Sequence, residues 1–402
     1  MPRTIAVVGM LFGDEGKGAT VSALCARLPG RKLVVRASGG PQAAHNIIVP
    51  QSGDQVHTCS QIGSGVFHGA DTFIAGETVL DIDALQLEST TVVRAACRSA
   101  QRLQLGRVFV HPRTPVLDSR DASYSWSEAR RSGHGSCGRG TGVCFQRARD
   151  PHHIHRVADD AERRISATGP DSVLTVVGTP RLSDYDYIIS ECGQGTLLDR
   201  EFGFAPYASW TSQRAFDVFC AMYGLPQPFR VGVIRAYATR HGFGPLLYQY
   251  DNPPAAFVDP NNAEDMPEIR GPMRYAPHSV AMLKYSQRCY PVDALVVNHV
   301  DCADEFEYVV EEPSPAWDRF TLQADMALTT DCEYARWDEL QRLAERLAAV
   351  PQSVTDSQRH FHLHIGYPQL LGSFMGIPAS RCDGGSGPAD DTRVDNILRY
   401  VT

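Results

Sequence analysis

Val7-Val8-Gly9-Met10-Leu11-Phe12-Gly13-Asp14-Glu15-Gly16-Lys17-Gly18 is the stretch whose reading decides the fold. It starts at the end of an apolar run, Thr4 to Val8, that predicts a buried strand. It stops where Ala19 to Arg27 takes up the spacing of an amphipathic helix. A strand, a glycine-rich turn and a helix N-terminus leave backbone N–H groups and a positive dipole end unopposed, which suits a phosphate. The turn is not the common G-x-x-x-x-G-K-[ST] loop, because Leu11 stands where the first glycine belongs and Gly18 where the hydroxyl belongs. Asp14 is the informative oddity. A carboxylate beside a phosphate is repulsive unless it holds Mg²⁺ or takes a proton from the substrate.

Outward from this stretch, short β-branched runs recur: Leu33–Arg36, Thr72–Ala75, Val108–Val110, Val173–Val177, Tyr187–Ser190, Val231–Ile234 and Ala294–Val297. Helical spacings lie between many of them, at Ala122–Arg131, Thr211–Tyr223, His278–Gln287 and Trp337–Ala349. Strands alternating with helices predict an α/β fold, with a large, mostly parallel central sheet covered by helices. The 402 residues read as a single domain, with loop and small-subdomain insertions near 131–150 and 251–275. The second insertion is rich in Pro, Asn and acids and reads as a mobile surface loop.

A net charge of −8 with no basic stripe argues against nucleic acid as a partner. No apolar run reaches membrane-spanning length, and the first residues lack the pattern of a signal peptide, so the expected location is cytoplasmic. The eleven cysteines are scattered without a C-x-x-C pair, which reads as reduced thiols rather than a zinc site. His152-His153-Ile154-His155 and His360-Phe361-His362-Leu363-His364 are dense in imidazole. The second alternates as a half-buried strand would, and that reading is preferred to a metal site.

Six further clusters sit at strand ends or in small-residue loops. Arg36-Ala37-Ser38-Gly39-Gly40-Pro41-Gln42-Ala43-Ala44-His45-Asn46 places a glycine pair and a lone histidine where open α/β sheets bind ligands. Ser136-Cys137-Gly138-Arg139-Gly140-Thr141-Gly142, with Arg147 and Arg149, suits a phosphate or an ordinary solvent loop. Glu191-Cys192-Gly193-Gln194-Gly195-Thr196-Leu197-Leu198-Asp199 carries an amide able to read a base edge, and Tyr237 to Pro245 is a further cluster. Asn298-His299-Val300-Asp301 ends in a carboxylate that can accept from the N1–H and 2-amino group of guanine. A last turn, Gly384-Gly385-Ser386-Gly387-Pro388, is placed to close over a base.

Taken in order, these clusters resemble the adenylosuccinate synthetase family from about Thr4 to Val394. Gly13–Gly18 is that family's GDEGKG. Gly39–His45 partly matches GG-N-x-A-G-H, and Cys137–Gly142 partly matches TTGRGIGP. Gln194–Asp199, Thr239–Pro245, His299–Asp301 and Gly385–Pro388 look like QG-x-L-LD, T-R-x-G-x-GP, K-L-D and S-T-GP.

The resemblance implies a P-loop-related fold and a homodimeric ligase. Such an enzyme joins L-aspartate to C6 of a 6-oxopurine nucleotide, using GTP (or ATP or dATP) and Mg²⁺. It implies Asp14 as base and Mg²⁺ ligand, with the Ala44 carbonyl as a second ligand. His45, Lys17 and Gln194 join Asp14 as catalytic residues. Gly13, Glu15, Gly16, Lys17, Gly18 and Asn46 would hold the triphosphate, and His299, Asp301, Ser386, Gly387 and Pro388 its base. Asp14, Gln42, Ala43, Cys137, Gly138, Arg147, Arg149, Gln194, Ser209 and Thr239 would surround the purine monophosphate, with Arg149 or Arg147 reaching across the dimer. Arg270 and Arg274 would clamp aspartate.

Pro41 and Gln42, Ser136 and Cys137, and His299 depart from the family's pattern, and the threonines of its aspartate loop are missing. These departures leave IMP and (d)GMP as alternative substrates, the second as in the phage relatives that make 2-aminoadenine DNA. A nucleoside-antibiotic ligase and an inactive nucleotide-binding regulator on the same fold are further alternatives. A nicotinamide dehydrogenase is excluded, because no G-x-G-x-x-G opens the first helix.

Overall fold

Eight of the nine strands in the main sheet grow from the apolar runs: β1 (Arg3–Gly9), β2 (Lys32–Arg36), β3 (Asp71–Ile74), β4 (Val108–Val110), β5 (Thr175–Val177), β6 (Tyr187–Gly195), β7 (Phe229–Arg235) and β8 (Ala294–Asn298). The ninth, β9 (Cys382–Gly385), carries too little apolar sequence to announce itself, and it takes in Gly384 and Gly385, which the sequence places in a turn. The structure, a computed structural model, describes residues 1–53, 55–132, 136–150, 165, 172–258, 271–302, 305–312, 315–329, 333–348, 358–363, 367–385 and 391–402. The spatial order is β9-β8-β7-β1-β6-β2-β3-β4-β5, and every pairing is parallel.

Side-chain alternation along β1 explains why both faces are covered. Ile5 and Val7 point into one apolar layer with Val21 and Leu24 of α1 (Lys17–Arg27). Ala6, Val8 and Met10 point into the opposite layer with Phe216, Phe219 and Leu283.

Other helices begin where local chemistry dictates. The segment from Thr211 predicts a helix, but the helix starts at Ala215. Ser212 N–H is held by Ser38 Oγ at 2.9 Å and Gln213 N–H by Asp199 at 2.5 Å, so these residues serve tertiary contacts instead. The helix expected from His278 starts at Val280, because Ser279 caps it by accepting from Met282 N–H at 3.2 Å. In the insertion that follows Asp251, Phe257 is buried and stacks on Tyr237 at 3.9 Å, so its first part is anchored rather than a free surface loop. Residues 259–270 of that insertion lie outside the described residues.

The alternating histidine segment is a strand, Arg359–Leu363, antiparallel to Glu305–Val309, and His360 stacks on Tyr308 at 5.2 Å. His152, His153, His155 and His364 lie outside the described residues.

Candidate active site

From β1 the chain continues to β2, passing over β6, whereas β6 is followed by β7 on the other side of β1. The C-terminal ends of these strands therefore part at β1, which is where an open sheet forms a ligand crevice. A cleft of about 1170 Å³ lies there, lined by the Asp14–Ala19 turn, the segment Pro41–Asn46, loop residues Cys137 and Arg139–Val143, Gln194, Ser209–Thr211, Arg235, Arg240, His299 and Arg393. That volume exceeds the range of about 300–1,000 Å³ typical for one small-molecule ligand, and it accommodates more than one.

The turn after β1 is held open from beneath. Gly13, Asp14 and Gly16 all take left-handed backbone angles, with φ of 87°, 56° and 86°. A side chain on Gly16 would also meet Asn298 Nδ2 at 2.6 Å, the atom that donates to the Glu15 carbonyl at 2.8 Å. Glu15 is buried: one carboxylate oxygen accepts from Leu11 N–H at 2.5 Å and the other faces Lys17 Nζ at 3.3 Å. Burial raises its pKa, against the opposing effect of Lys17. No side chain caps α1, so its first N–H groups face the cleft as anion donors. The Asp14 carboxylate lines the cleft and has no hydrogen-bonded partner among the described residues.

His45 reaches the same place from a hairpin, His45–Ile48 with Val56–Cys59. A side chain on Gly18 would collide with His45 Cβ, so this glycine is what lets the hairpin lie against α1. His45 Nδ1 lies 2.5 Å from Glu191 Oε1 and 3.0 Å from Arg36 Nη1. A carboxylate only accepts, so the Nδ1 proton is directed to Glu191 and Nε2 is left as the second functional nitrogen. Burial lowers the pKa of His45, with Glu191 opposing. Burial works against ionisation of Glu191 too, but His45, Arg36 and Ser64 outweigh it and hold its pKa at about 2. Glu191 is fully buried and accepts from Ser64 N–H at 3.0 Å as well.

The remaining expected residues divide by position. Glu15, Gln42, Ala43, Ala44, Asn46, Cys137, Gln194, Ser209 and His299 line the cleft. Thr141 Oγ1 donates to Gln42 Oε1 at 2.8 Å, joining the two small-residue loops. Asn46 accepts from Thr58 Oγ1 at 2.7 Å. Gly13, Gly138, Thr239 and Asp301 are not in the lining, and Asp301 is exposed. Arg147 is paired with Asp121 at 2.6 Å, and Arg149 is exposed, its guanidinium 4.9 Å from the Phe145 ring centre. Arg274 donates to the Gly242 and Gly244 carbonyls at 2.9 and 2.8 Å and to Gln249 at 3.2 Å, outside the cleft lining. Arg270, Ser386, Gly387 and Pro388 lie outside the described residues.

Sequence reasoning missed Glu191, Arg36, Thr211, Arg235, Arg240 and Arg393 as site residues. The available signal was position: Arg36 and Arg235 each close an apolar strand, from which Arg235 reaches the cleft and Arg36 stands behind His45. Thr211 shares a 2.6 Å hydroxyl contact with Ser209.

Fold and cleft together define a nucleotide-binding α/β protein whose phosphate turn carries a carboxylate. The sequence model of adenylosuccinate synthetase matches residues 6–164 and 175–310. The chain belongs to the adenylosuccinate synthetase family, and it is a ligase of that type. Adenylosuccinate synthetase of Sorangium cellulosum is 27% identical over 345 residues, covering 74% of this chain and 77% of the relative. That of Neisseria gonorrhoeae is 24% identical over 355 residues, covering 77% and 79%. The structure of fully ligated adenylosuccinate synthetase from Plasmodium falciparum shares the fold, with a TM-score of 0.69 at 16% identity over 96% of this chain and 97% of that one. The succinoaminodeoxyadenylate synthetase of cyanophage S-2L, bound to dGMP and dATP, gives a TM-score of 0.56 at 17% identity over 86% and 99%.

Proposed function

We propose that the protein joins L-aspartate to C6 of a 6-oxopurine nucleotide, IMP or (d)GMP, through a 6-phosphoryl intermediate made from GTP, ATP or dATP. The observation that carries this reading is an unpartnered Asp14 carboxylate lining the same cleft as His45, whose ring is held by the buried Glu191. The O6 of a purine is a poor leaving group. Asp14 takes the N1 proton, which makes O6 nucleophilic, and phosphorylation of O6 then creates a group that an amine displaces. His45 stabilises charge between the phosphoryl group and O6 through Nε2, with Glu191 holding its ring and balancing the imidazolium. Lys17 and the α1 N-terminus hold the triphosphate. Gln194 and Thr211 face the purine nucleotide.

The site fits Mg²⁺: the Asp14 carboxylate is an unengaged hard oxygen, and Ala44, whose carbonyl is a second hard oxygen, lines the same cleft. Among the described residues no cluster of three or more His, Cys, Asp or Glu forms a closed metal cage, which suits an ion that keeps water and phosphate ligands. When bound, Mg²⁺ neutralises phosphate charge. Asp301, exposed after β8, is proposed to read guanine together with Ser386–Pro388. Arg270 and Arg274 are proposed for aspartate, and Arg274 would exchange its bonds to the Gly242 and Gly244 carbonyls to reach it. A homodimer with Arg149 donated across the interface completes the reading.

The test is incubation with Mg²⁺, GTP or ATP, aspartate and IMP, GMP or dGMP, with the succinylated purine detected by mass. Absence of both product and phosphate release in every combination overturns the ligase reading. Asp14→Ala is expected to lower turnover about 10²–10⁴-fold while nucleotide binding persists. Normal turnover in that variant removes Asp14 as the base.

A further inference from the structure

Arg235 closes β7, the strand beside β1, and lines the cleft although only 5% of the residue is exposed. Its Nε donates to the Asp14 carbonyl, and its Nη1 lies 3.2 Å from Tyr237 Oη. The tyrosine hydroxyl in turn donates to the Phe257 carbonyl at 3.2 Å, so it accepts from the arginine. Nη2 bonds to no described residue, and no described carboxylate lies within ion-pair distance of this guanidinium. Two other buried arginines in the same region differ. Arg36 faces Glu191 at 3.5 Å, and Arg240 commits Nε, Nη1 and Nη2 to the carbonyls of Phe243, Pro245 and Tyr207.

A guanidinium buried among neutral partners is costly unless an anion completes it. The wall it already touches is the phosphate turn. Its charge is felt locally: His299, on the same stretch of cleft, has its pKa lowered by burial and then by Arg235 and Arg393.

We propose that Arg235 is a catalytic residue that binds the terminal phosphates of the nucleoside triphosphate and takes up the charge released during phosphoryl transfer. This rests on the ligase reading above. In the step, the bond between the γ-phosphorus and the β–γ bridging oxygen breaks and its electron pair stays on the nucleoside diphosphate. The bond between O6 and phosphorus forms, and the N1 proton passes to Asp14. One side chain thus ties the backbone of the base to the leaving group: Nε fixes the Asp14 carbonyl, and Nη2 meets the departing oxygen.

The experiment titrates the β,γ-imido triphosphates of guanosine and adenosine, and separately IMP and dGMP, into the parent, Arg235→Gln and Arg235→Lys proteins by calorimetry, with turnover measured alongside. Arg235→Gln keeps a donor for the Asp14 carbonyl and removes the charge. It is expected to weaken the imido triphosphate at least about tenfold, to change monophosphate affinity less than about twofold, and to lower kcat. An unchanged triphosphate affinity, or an equal loss for both ligand types, overturns the proposal and leaves Arg235 a brace for the turn. Should Arg235→Gln fail to fold, Arg235→Lys decides: affinity kept within about threefold with kcat down about tenfold supports the contact, and any other pattern overturns it. A parent protein that binds no imido triphosphate overturns the ligase reading itself, whereas a parent that binds it with Arg235→Gln indistinguishable overturns this inference alone.

Discussion

The chemistry of the cleft depends on a few buried charges, and Glu191 is the one with the largest consequences. It sits at 0% exposure between His45, Arg36 and Ser64, so removing its charge strands the Arg36 guanidinium in the interior and takes the charged acceptor from the His45 ring. Glu191→Gln is expected to cost about 3 kcal/mol of stability at neutral pH. The pH dependence has a definite sign. The folded pKa is about 2 against an ordinary 4.5, so the contribution is complete above about pH 4.5 and is lost as the pH falls through about 2. Urea unfolding from pH 6 to pH 2 should show a shallower acid slope in the variant, and equal slopes would remove Glu191 from this role. At this scale the sequence was readable for Asp14, Lys17 and His45, because a local motif names them. Glu191 was quoted within a motif yet given no task, since its partner lies far away in the chain.

Among elements, the two helices behind the Cys137–Gly142 loop decide what the nearby arginines do. Arg147 on Thr141–Arg147 reaches Asp121 on Ser119–Ser132 through two bonds of 2.6 and 2.9 Å, and Asp121 is buried. Arg149, two residues on, is exposed. Arg147→Met should therefore destabilise the protein by about 3 kcal/mol, because it leaves a buried carboxylate unpaired. Arg149→Ala should change stability by less than about 0.5 kcal/mol but raise the KM for the purine nucleotide. Thermal unfolding paired with steady-state kinetics separates the two, and the reverse pattern would assign the phosphate contact to Arg147. Sequence alone left these arginines equivalent, because spacing cannot show which of them finds a carboxylate on another helix. Strand β9 escaped notice for a related reason: Cys-Asp-Gly-Gly becomes a strand only because β8 offers it an edge.

For the whole molecule, the cleft is large and continuous, so two nucleotides are expected to bind together rather than compete. A nucleoside triphosphate and a 6-oxopurine monophosphate, each at about 100 times its Kd, should add about 2.7 kcal/mol apiece to the unfolding free energy. Thermal shift with each ligand and with both checks this, and a combined shift no larger than the greater single one would indicate a shared site.

The strand-turn-helix at the start, the alternation of apolar runs and the identity of the phosphate turn were determined by sequence alone, because each depends on neighbours within about ten residues. The family followed from the order of those local motifs. What only the tertiary structure decided is which distant groups meet: His45 with Glu191, Arg147 with Asp121, Arg274 with the Gly242–Gly244 carbonyls, and Arg235 with the backbone of Asp14. Those meetings are set by how separate elements pack together, and no periodicity records them. They matter most where a charge is buried, since its partner, or the lack of one, fixes what it can bind.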